Sequence, residues 1–168
     1  FKHFKKPAIF LDRDNTINED LGYTYKFKDF KFTNNSYKTL KYLSDKKIFI
    51  FIITNQAGIG KGYFTMNDFI DLHIKLKKKL IREKIFINEV KYCPYHPKAN
   101  IKKYRKVSAL RKPNNLMIKQ IFDKFVIDKK KSIMIGDHLK DQKCAKKSKL
   151  KFQFVEKDLL IQIKNHFR

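Results

Sequence analysis

Six apolar residues stand in unbroken succession at Ile48-Phe49-Ile50-Phe51-Ile52-Ile53, and four of them are β-branched isoleucines. A strand with one wet face alternates apolar and polar side chains. An unbroken run needs cover on both faces, the mark of a parallel sheet packed between helices. Shorter runs of the same kind occur at Ala8-Ile9-Phe10-Leu11 and at Ile133-Met134-Ile135 after Ser132. Val90-Lys91-Tyr92 and residues 151–155 predict two further short strands.

Helical spacing fills the intervals. Tyr37, Leu40 and Leu43 fall near one face of a helix over 36–46. Thr65, with Asp68 three residues on, opens a long helix by a capping-box pattern, and its apolar stripe is Phe69, Leu72, Leu76 and Leu80. Helices are also predicted at about 115–126, 139–147 and 157–165. Strands alternating with helices give an α/β fold, a Rossmann-like parallel sheet with helices on both faces. At 168 residues the chain is expected to form a single domain over 1–168, with no repeat and no linker.

Each of the three buried runs ends on polar residues: Asp12-Arg13-Asp14, then Thr54-Asn55, then Asp137. In an open α/β sheet the carboxyl ends of the strands form the ligand crevice. Two aspartates two residues apart repel each other unless a cation lies between them. Oxygen ligands of this kind suit Mg²⁺, which takes one or two carboxylates together with phosphate and water. One carboxylate can attack phosphorus and form an aspartyl-phosphate, and the other can protonate the leaving oxygen. Asp137 would complete the metal site, and Thr54 with a lysine would steady the phosphoryl oxygens. Taken alone, an Asp-x-Asp spacing is equally compatible with two surface carboxylates.

Forty Lys and Arg against 16 Asp and Glu give a net charge of +24. The lysines are spread from end to end rather than interleaved with aromatics in one tract, as a nucleic-acid surface would have them. Abundant Lys, Ile, Phe and Asn instead fit coding from an adenine- and thymine-rich genome, so no nucleic-acid partner is expected. An anionic small substrate gains from the field in either case. No apolar stretch approaches the roughly 20 residues that span a bilayer, and no membrane partner is expected. The opening Phe1-Lys2-His3-Phe4-Lys5-Lys6 is too short and too charged for a secretory signal, and the missing initiator methionine suggests a trimmed start. Two cysteines, Cys93 and Cys144, make no disulfide framework and point to a reduced cytoplasm. A monomer is expected.

Asp12-Arg13-Asp14-Asn15-Thr16, Thr54-Asn55-Gln56, Arg111-Lys112-Pro113 and Gly136-Asp137 with Asp141 together resemble the four ordered motifs of the haloacid dehalogenase superfamily of phosphatases. Leu11, Gly22-Tyr23, the run Ala57-Gly58-Ile59-Gly60-Lys61-Gly62 and Cys93-Pro94-Tyr95-His96-Pro97 narrow the resemblance to the branch of heptose-bisphosphate and histidinol-phosphate phosphatases. It covers the chain from about Ala8 to Val155. The resemblance implies Asp12 as nucleophile and Asp14 as general acid and base. It implies Mg²⁺ held by Asp12, the Asp14 carbonyl and Asp137. Thr54 and Lys112 would contact the phosphoryl group. Arg13, Asp20, Gly22, Tyr23, Asn55, Gln56, Arg111 and His138 would bind substrate, a small phosphorylated sugar. No large cap is expected over the site. The implied substrate carries its scissile phosphate at the 7-position of a heptose 1,7-bisphosphate, and the product would feed a surface glycan. Histidinol phosphate, a polynucleotide 3′-phosphate, or a non-catalytic relative remain as alternatives.

Several positions depart from the family pattern. Asn15 stands where glycine is usual, and asparagine tolerates the left-handed backbone better than most residues. His138 replaces a lysine after the last motif aspartate. Family members hold a zinc loop with Cys-x-His and Cys-x-Cys pairs, whereas this chain reads Cys93-Pro94-Tyr95 and Ser108-Ala109-Leu110. Only Cys93 matches, so no zinc is expected, and the loop 93–113 should be held by packing through Tyr92, Tyr95, Ile101 and Tyr104. His73 is expected to flank its helix rather than bind a ligand, and Cys144 to lie in the core. Gly58-Ile59-Gly60-Lys61-Gly62 lacks the Ser or Thr of a phosphate-cradling Walker loop and is expected as a tight turn beside the pocket.

Overall fold

The apolar runs become one five-stranded parallel sheet: β1 (Ala8–Leu11), β2 (Phe49–Asn55), β3 (Glu89–Cys93), β4 (Ile133–Gly136) and β5 (Lys151–Phe154), in the order β3-β2-β1-β4-β5. The computed structural model describes residues 4–168; residues 1–3, part of the basic opening stretch, lie outside the described residues. Among the described residues six α-helices accompany the strands, α6 following the last of them: α1 (Ser36–Asp45), α2 (Ala57–Lys61), α3 (Met66–Arg82), α4 (Leu116–Lys124), α5 (Leu139–Lys147) and α6 (Leu159–His166).

Alternate side chains of the central strands serve two separate cores, which is why their sequences show no polar face. Ile9, Leu11, Ile50, Ile52, Ile133 and Ile135 pack with Leu40 and Leu43 of α1, Leu76 and Leu80 of α3, and Leu159 and Ile163 of α6. Phe10, Phe51, Ile53 and Met134 face the other way, onto Met117, Ile118 and Ile121 of α4 and Cys144 and Ala145 of α5. Cys144 is fully buried, a core residue as expected. Thr65 caps α3 as its sequence predicts: its hydroxyl accepts from the Asp68 amide at 3.0 Å, and the Asp68 carboxylate accepts from the Thr65 amide at 2.8 Å.

Two local expectations change. Thr54 and Asn55 belong to β2 itself, where they pair with Tyr92 and Cys93 of β3, rather than following the strand. The glycine run 58–62 is not a tight turn but the one-turn helix α2, closed by Gly62 at φ 81. Its glycines are there for contact. A Cβ on Gly58 would come within 2.7 Å of the Tyr23 ring, and one on Gly60 within 2.8 Å of the Pro94 carbonyl. Among the described residues the two long connections, 12–35 and 94–115, carry nothing larger than single 3-10 turns, so no cap domain is inserted in them.

Candidate active site

The order β2-β1-β4 puts the carboxyl ends of the three central strands side by side, and the polar residues that follow them meet there. Asp12 continues directly from β1, its amide donating to the Ile135 carbonyl of β4 at 3.0 Å. Oxygens of Asp12, Asp137 and Asp141 lie within 4.8 Å of one another. Lys112 reaches in from the loop before α4, and all three of its ammonium protons are used. They go to Asp12 Oδ1 at 2.9 Å, Asp141 Oδ1 at 2.6 Å and the Ile53 carbonyl at 2.7 Å. Lys112 is only 3% exposed.

The charge balance of this cluster favours a cation. Burial pushes the Asp12 carboxyl up, to about 7; the Lys112 charge opposes this and the Asp141 carboxylate adds to it. Lys112 moves the other way from what burial alone would do, held above its ordinary value by Asp12 and Asp141. Once Asp12 is ionised, three carboxylates against one ammonium leave two negative charges in excess, the complement of a divalent ion. Clustered hard oxygens, with open cleft beside them, suit Mg²⁺.

Asp14 lies beside this cluster with its side chain one quarter exposed. The turn that carries it needs the left-handed backbone at Asn15, φ 61, the conformation asparagine was expected to tolerate there. Asn15 also accepts the Asp20 amide on its side-chain oxygen at 3.2 Å. Asp20 in turn accepts from the Gly22 amide at 3.1 Å. Together they shape one wall of a cleft of about 480 Å³, which Tyr23 completes from a strained backbone at φ 49. Arg111, His138 and Lys140 add a basic part to the lining.

Of the residues singled out from sequence, Asp12, Asp14, Asp20, Gly22, Tyr23, Asn55, Gln56, Arg111, Lys112, Asp137 and His138 all line this cleft. Arg13 and Thr54 do not. Arg13 is 1% exposed and its guanidinium is bonded to Asp14 rather than lining the cleft. Thr54 is equally buried, and its hydroxyl accepts from Gln56 Nε2 at 2.9 Å. Asn55 and Gln56 line the cleft with side chains already committed. Asn55 clamps the main chain of Lys112, accepting from its amide at 2.9 Å and donating to its carbonyl at 3.1 Å. Gln56 also donates to Asp14 Oδ2 at 3.1 Å.

Asp141, named in the last sequence motif but given no role there, stands in the site beside Lys112. It is 1% exposed and its Oδ2 accepts the His138 amide at 3.1 Å, so it caps α5 while its Oδ1 faces Lys112. The available signal was an aspartate four residues beyond Asp137, but aspartates in first helical turns are commonplace for capping alone. His138 is the N-cap of α5 and its Nδ1 accepts from the Lys140 amide at 3.3 Å. His73 stacks on Phe69 at 4.1 Å and donates from Nδ1 to the Phe69 carbonyl at 2.9 Å. Burial and then the Arg13 charge push it down to about 4, so it is neutral at physiological pH.

Arg105, which the sequence did not single out, holds the loop after β3. It donates from Nε to the Ala99 carbonyl at 2.7 Å and from Nη2 to the Asn100 carbonyl at 3.0 Å. The Ile101 amide donates to the Gly60 carbonyl at 2.9 Å, docking the loop on α2. Tyr92 stacks on Phe69 at 4.3 Å, and Tyr95 and Tyr104 face each other at 6.1 Å, in line with the expected aromatic packing. Ile101 is mostly a surface residue, 38% exposed.

A profile of the family described as Haloacid dehalogenase-like hydrolase matches residues 99–155. The D-glycero-beta-D-manno-heptose-1,7-bisphosphate 7-phosphatase of Escherichia coli K12 is 35% identical over 139 residues, 83% of this chain and 73% of that protein. The chain belongs to the haloacid dehalogenase-like hydrolases. Another relative in the family, the D-glycero-alpha-D-manno-heptose-1,7-bisphosphate 7-phosphatase of Campylobacter jejuni, is also 35% identical, over 84% of this chain and 77% of its own. The fold of this hydrolase matches the crystal structure of the D,D-heptose 1,7-bisphosphate phosphatase of B. bronchiseptica complexed with magnesium and phosphate. There the TM-score is 0.78 at 21% identity, covering 95% of this chain and 86% of that one.

Proposed function

We propose that this chain is a magnesium-dependent phosphomonoester hydrolase acting on a sugar bisphosphate, at the 7-phosphate of D-glycero-D-manno-heptose 1,7-bisphosphate. The observation that carries the chemistry is the convergence of Asp12, Asp137 and Asp141 in the cleft, with buried Lys112 paired to Asp12 and Asp141. Asp12 and Asp137, with the Asp14 main-chain carbonyl, would hold Mg²⁺, which neutralises charge on the transferring phosphoryl group. Asp12 attacks phosphorus, the phosphorus–oxygen bond to the sugar breaks, and Asp14 gives its proton to the departing oxygen. Asp14 then takes a proton from water, the hydroxyl attacks the aspartyl-phosphate, and phosphate leaves with Asp12 regenerated. Lys112 keeps Asp12 oriented and can exchange one of its three bonds for a phosphoryl oxygen. Thr54 acts through its hydroxyl on Gln56, which in turn reaches Asp14.

The basic part of the lining supports a substrate with a second phosphate. Lys140 lies below the ordinary lysine value, first through partial burial and then through the charges of Arg111 and Lys112. Arg111 itself has a buried Nη1 with no hydrogen-bond partner among the described residues. Crowded cations and an unsatisfied guanidinium nitrogen call for an anion, and the second phosphate of a bisphosphate supplies one. Relatives named for the alpha and the beta anomer are equally similar to this chain, so the anomer is left to experiment. No helix among the described residues is long and apolar enough to cross a membrane. The reading includes a cytoplasmic monomer that needs no zinc and no nucleic acid.

Phosphate release from both heptose 1,7-bisphosphate anomers, histidinol phosphate and a 3′-phosphorylated oligonucleotide, each with Mg²⁺ and with EDTA, tests it. Preference for a heptose bisphosphate, lost in Asp12→Asn, is expected. Preference for histidinol phosphate or the oligonucleotide would overturn the substrate. Full turnover by Asp12→Asn would overturn the mechanism.

A further inference from the structure

Arg13 stands between the two reacting aspartates in sequence, yet it is one of the largest fully buried side chains in the protein and takes no part in lining the cleft. A buried guanidinium is costly unless its charge and its donors are met. Here they are met by the general acid. Arg13 donates from Nε at 3.1 Å and from Nη2 at 2.8 Å, and both bonds end on Asp14 Oδ1. Arginine more often grips a carboxylate side-on, one donor to each oxygen. Spending both donors on one oxygen leaves the other without an arginine donor.

The remaining contacts fix this asymmetry. Asn18, fully buried, donates from Nδ2 to the same Oδ1 at 3.0 Å. Arg13 Nη2 also donates to the Thr24 carbonyl at 2.9 Å, and its guanidinium lies 5.9 Å over the Phe69 ring. Oδ1 thus accepts three N–H bonds and has no room for a proton, because a protonated oxygen would turn its own donor toward three others. Oδ2 accepts a single bond, from Gln56. We propose that Arg13 is a positioning residue that, with Asn18, reserves Asp14 Oδ2 as the oxygen that carries the transferable proton. Asn18 therefore belongs to the same device. The proposal rests on the assignment of Asp14 as general acid.

The test compares kcat/KM for two substrates, because that ratio reports only the steps through formation of the aspartyl-phosphate. An alkyl phosphate such as a sugar phosphate needs a proton on its leaving oxygen, whereas p-nitrophenyl phosphate departs as a phenolate without one. General-acid catalysis contributes roughly 10²–10⁴-fold, so losing its alignment should be visible as selectivity. In Arg13→Lys, which keeps the charge but loses the fork, the alkyl-to-aryl ratio of kcat/KM is expected to fall about tenfold or more. Asn18→Ser, which strands no charge, is expected to fall in the same direction by less and decides the matter if Arg13→Lys does not fold. An equal loss on both substrates, leaving the ratio unchanged in whichever of these variants folds, would overturn the proposal. Asp14→Asn separates this failure from that of the mechanism. If its ratio does not fall, Asp14 is not the acid. If its ratio falls while those of the Arg13 and Asn18 variants do not, only the positioning role is wrong.

Discussion

Asn55→Ala distinguishes a residue that touches substrate from one that holds the machinery in place. The side chain lines the cleft, but both of its polar ends are committed to the backbone of Lys112, 57 residues away in sequence. Removing them deletes two hydrogen bonds worth about 1 kcal/mol each, hence about 2 kcal/mol of stability. In a chain of this length 1 kcal/mol moves the midpoint by about 2–4 °C, so thermal unfolding is expected about 4–8 °C lower. Lys112 would also lose the anchor that sets its ammonium 2.9 Å from Asp12 and 2.6 Å from Asp141. Small displacements at such a site cost up to about 100-fold in rate. The expected result is therefore a lower unfolding midpoint, with kcat and kcat/KM falling together. Calorimetry and steady-state kinetics on sugar phosphate, both with Mg²⁺, provide the measurement. An unchanged midpoint together with a raised KM and unaltered kcat would refute the clamp and return Asn55 to substrate contact.

Metal addition should stabilise as well as activate: Mg²⁺ at 100 times its dissociation constant adds about 2.7 kcal/mol, or about 5–11 °C in the midpoint, and Asp137→Asn should abolish most of that shift. Burial pushes the Cys144 thiol up to about 12 and also raises Cys93, so at neutral pH both stay protonated. A thiol reagent is accordingly expected to label neither quickly in the native protein and both after denaturation; rapid native labelling of Cys144 would contradict its burial. Arg105→Ala removes two hydrogen bonds worth about 1 kcal/mol each, so amide exchange across residues 96–106 should speed up about thirtyfold. Exchange at the wild-type rate would mean that the loop is held by its docking on α2 alone.

The strands were legible because burial on both faces leaves a signature that no other element shares, and Ile48 to Ile53 carries it without interruption. Asp12 and Asp137 could be placed at the sheet edge for the same reason, since each directly follows a dry strand, whereas the part given to Asp14 needed the company of the other motifs. What local pattern could not show was pairing across the chain. Asp141 is named with the last motif, but its role appears only where β4 and α5 set it against Lys112. Arg13 is given to substrate binding by resemblance alone, and its burial against Asp14 and the Thr24 carbonyl is set by residues ahead of it in the fold. The grip of Asn55 on Lys112 depends on two segments meeting in space, and neither segment announces the other. The short helix α2 was hidden by its glycines, which favour turns in isolation and are tolerated here because Tyr23, Phe64 and the loop after β3 press against them.

Arg105 gives that loop a cross-link made of a guanidinium on two carbonyls, part of the covalent chain itself. Neither a chelator nor an oxidant can remove it. Stripping the protein of divalent ions should therefore halt turnover without loosening the wall that carries Arg111. Reactivation should then keep pace with the arrival of Mg²⁺, with no lag for refolding, however long the protein has stood without metal.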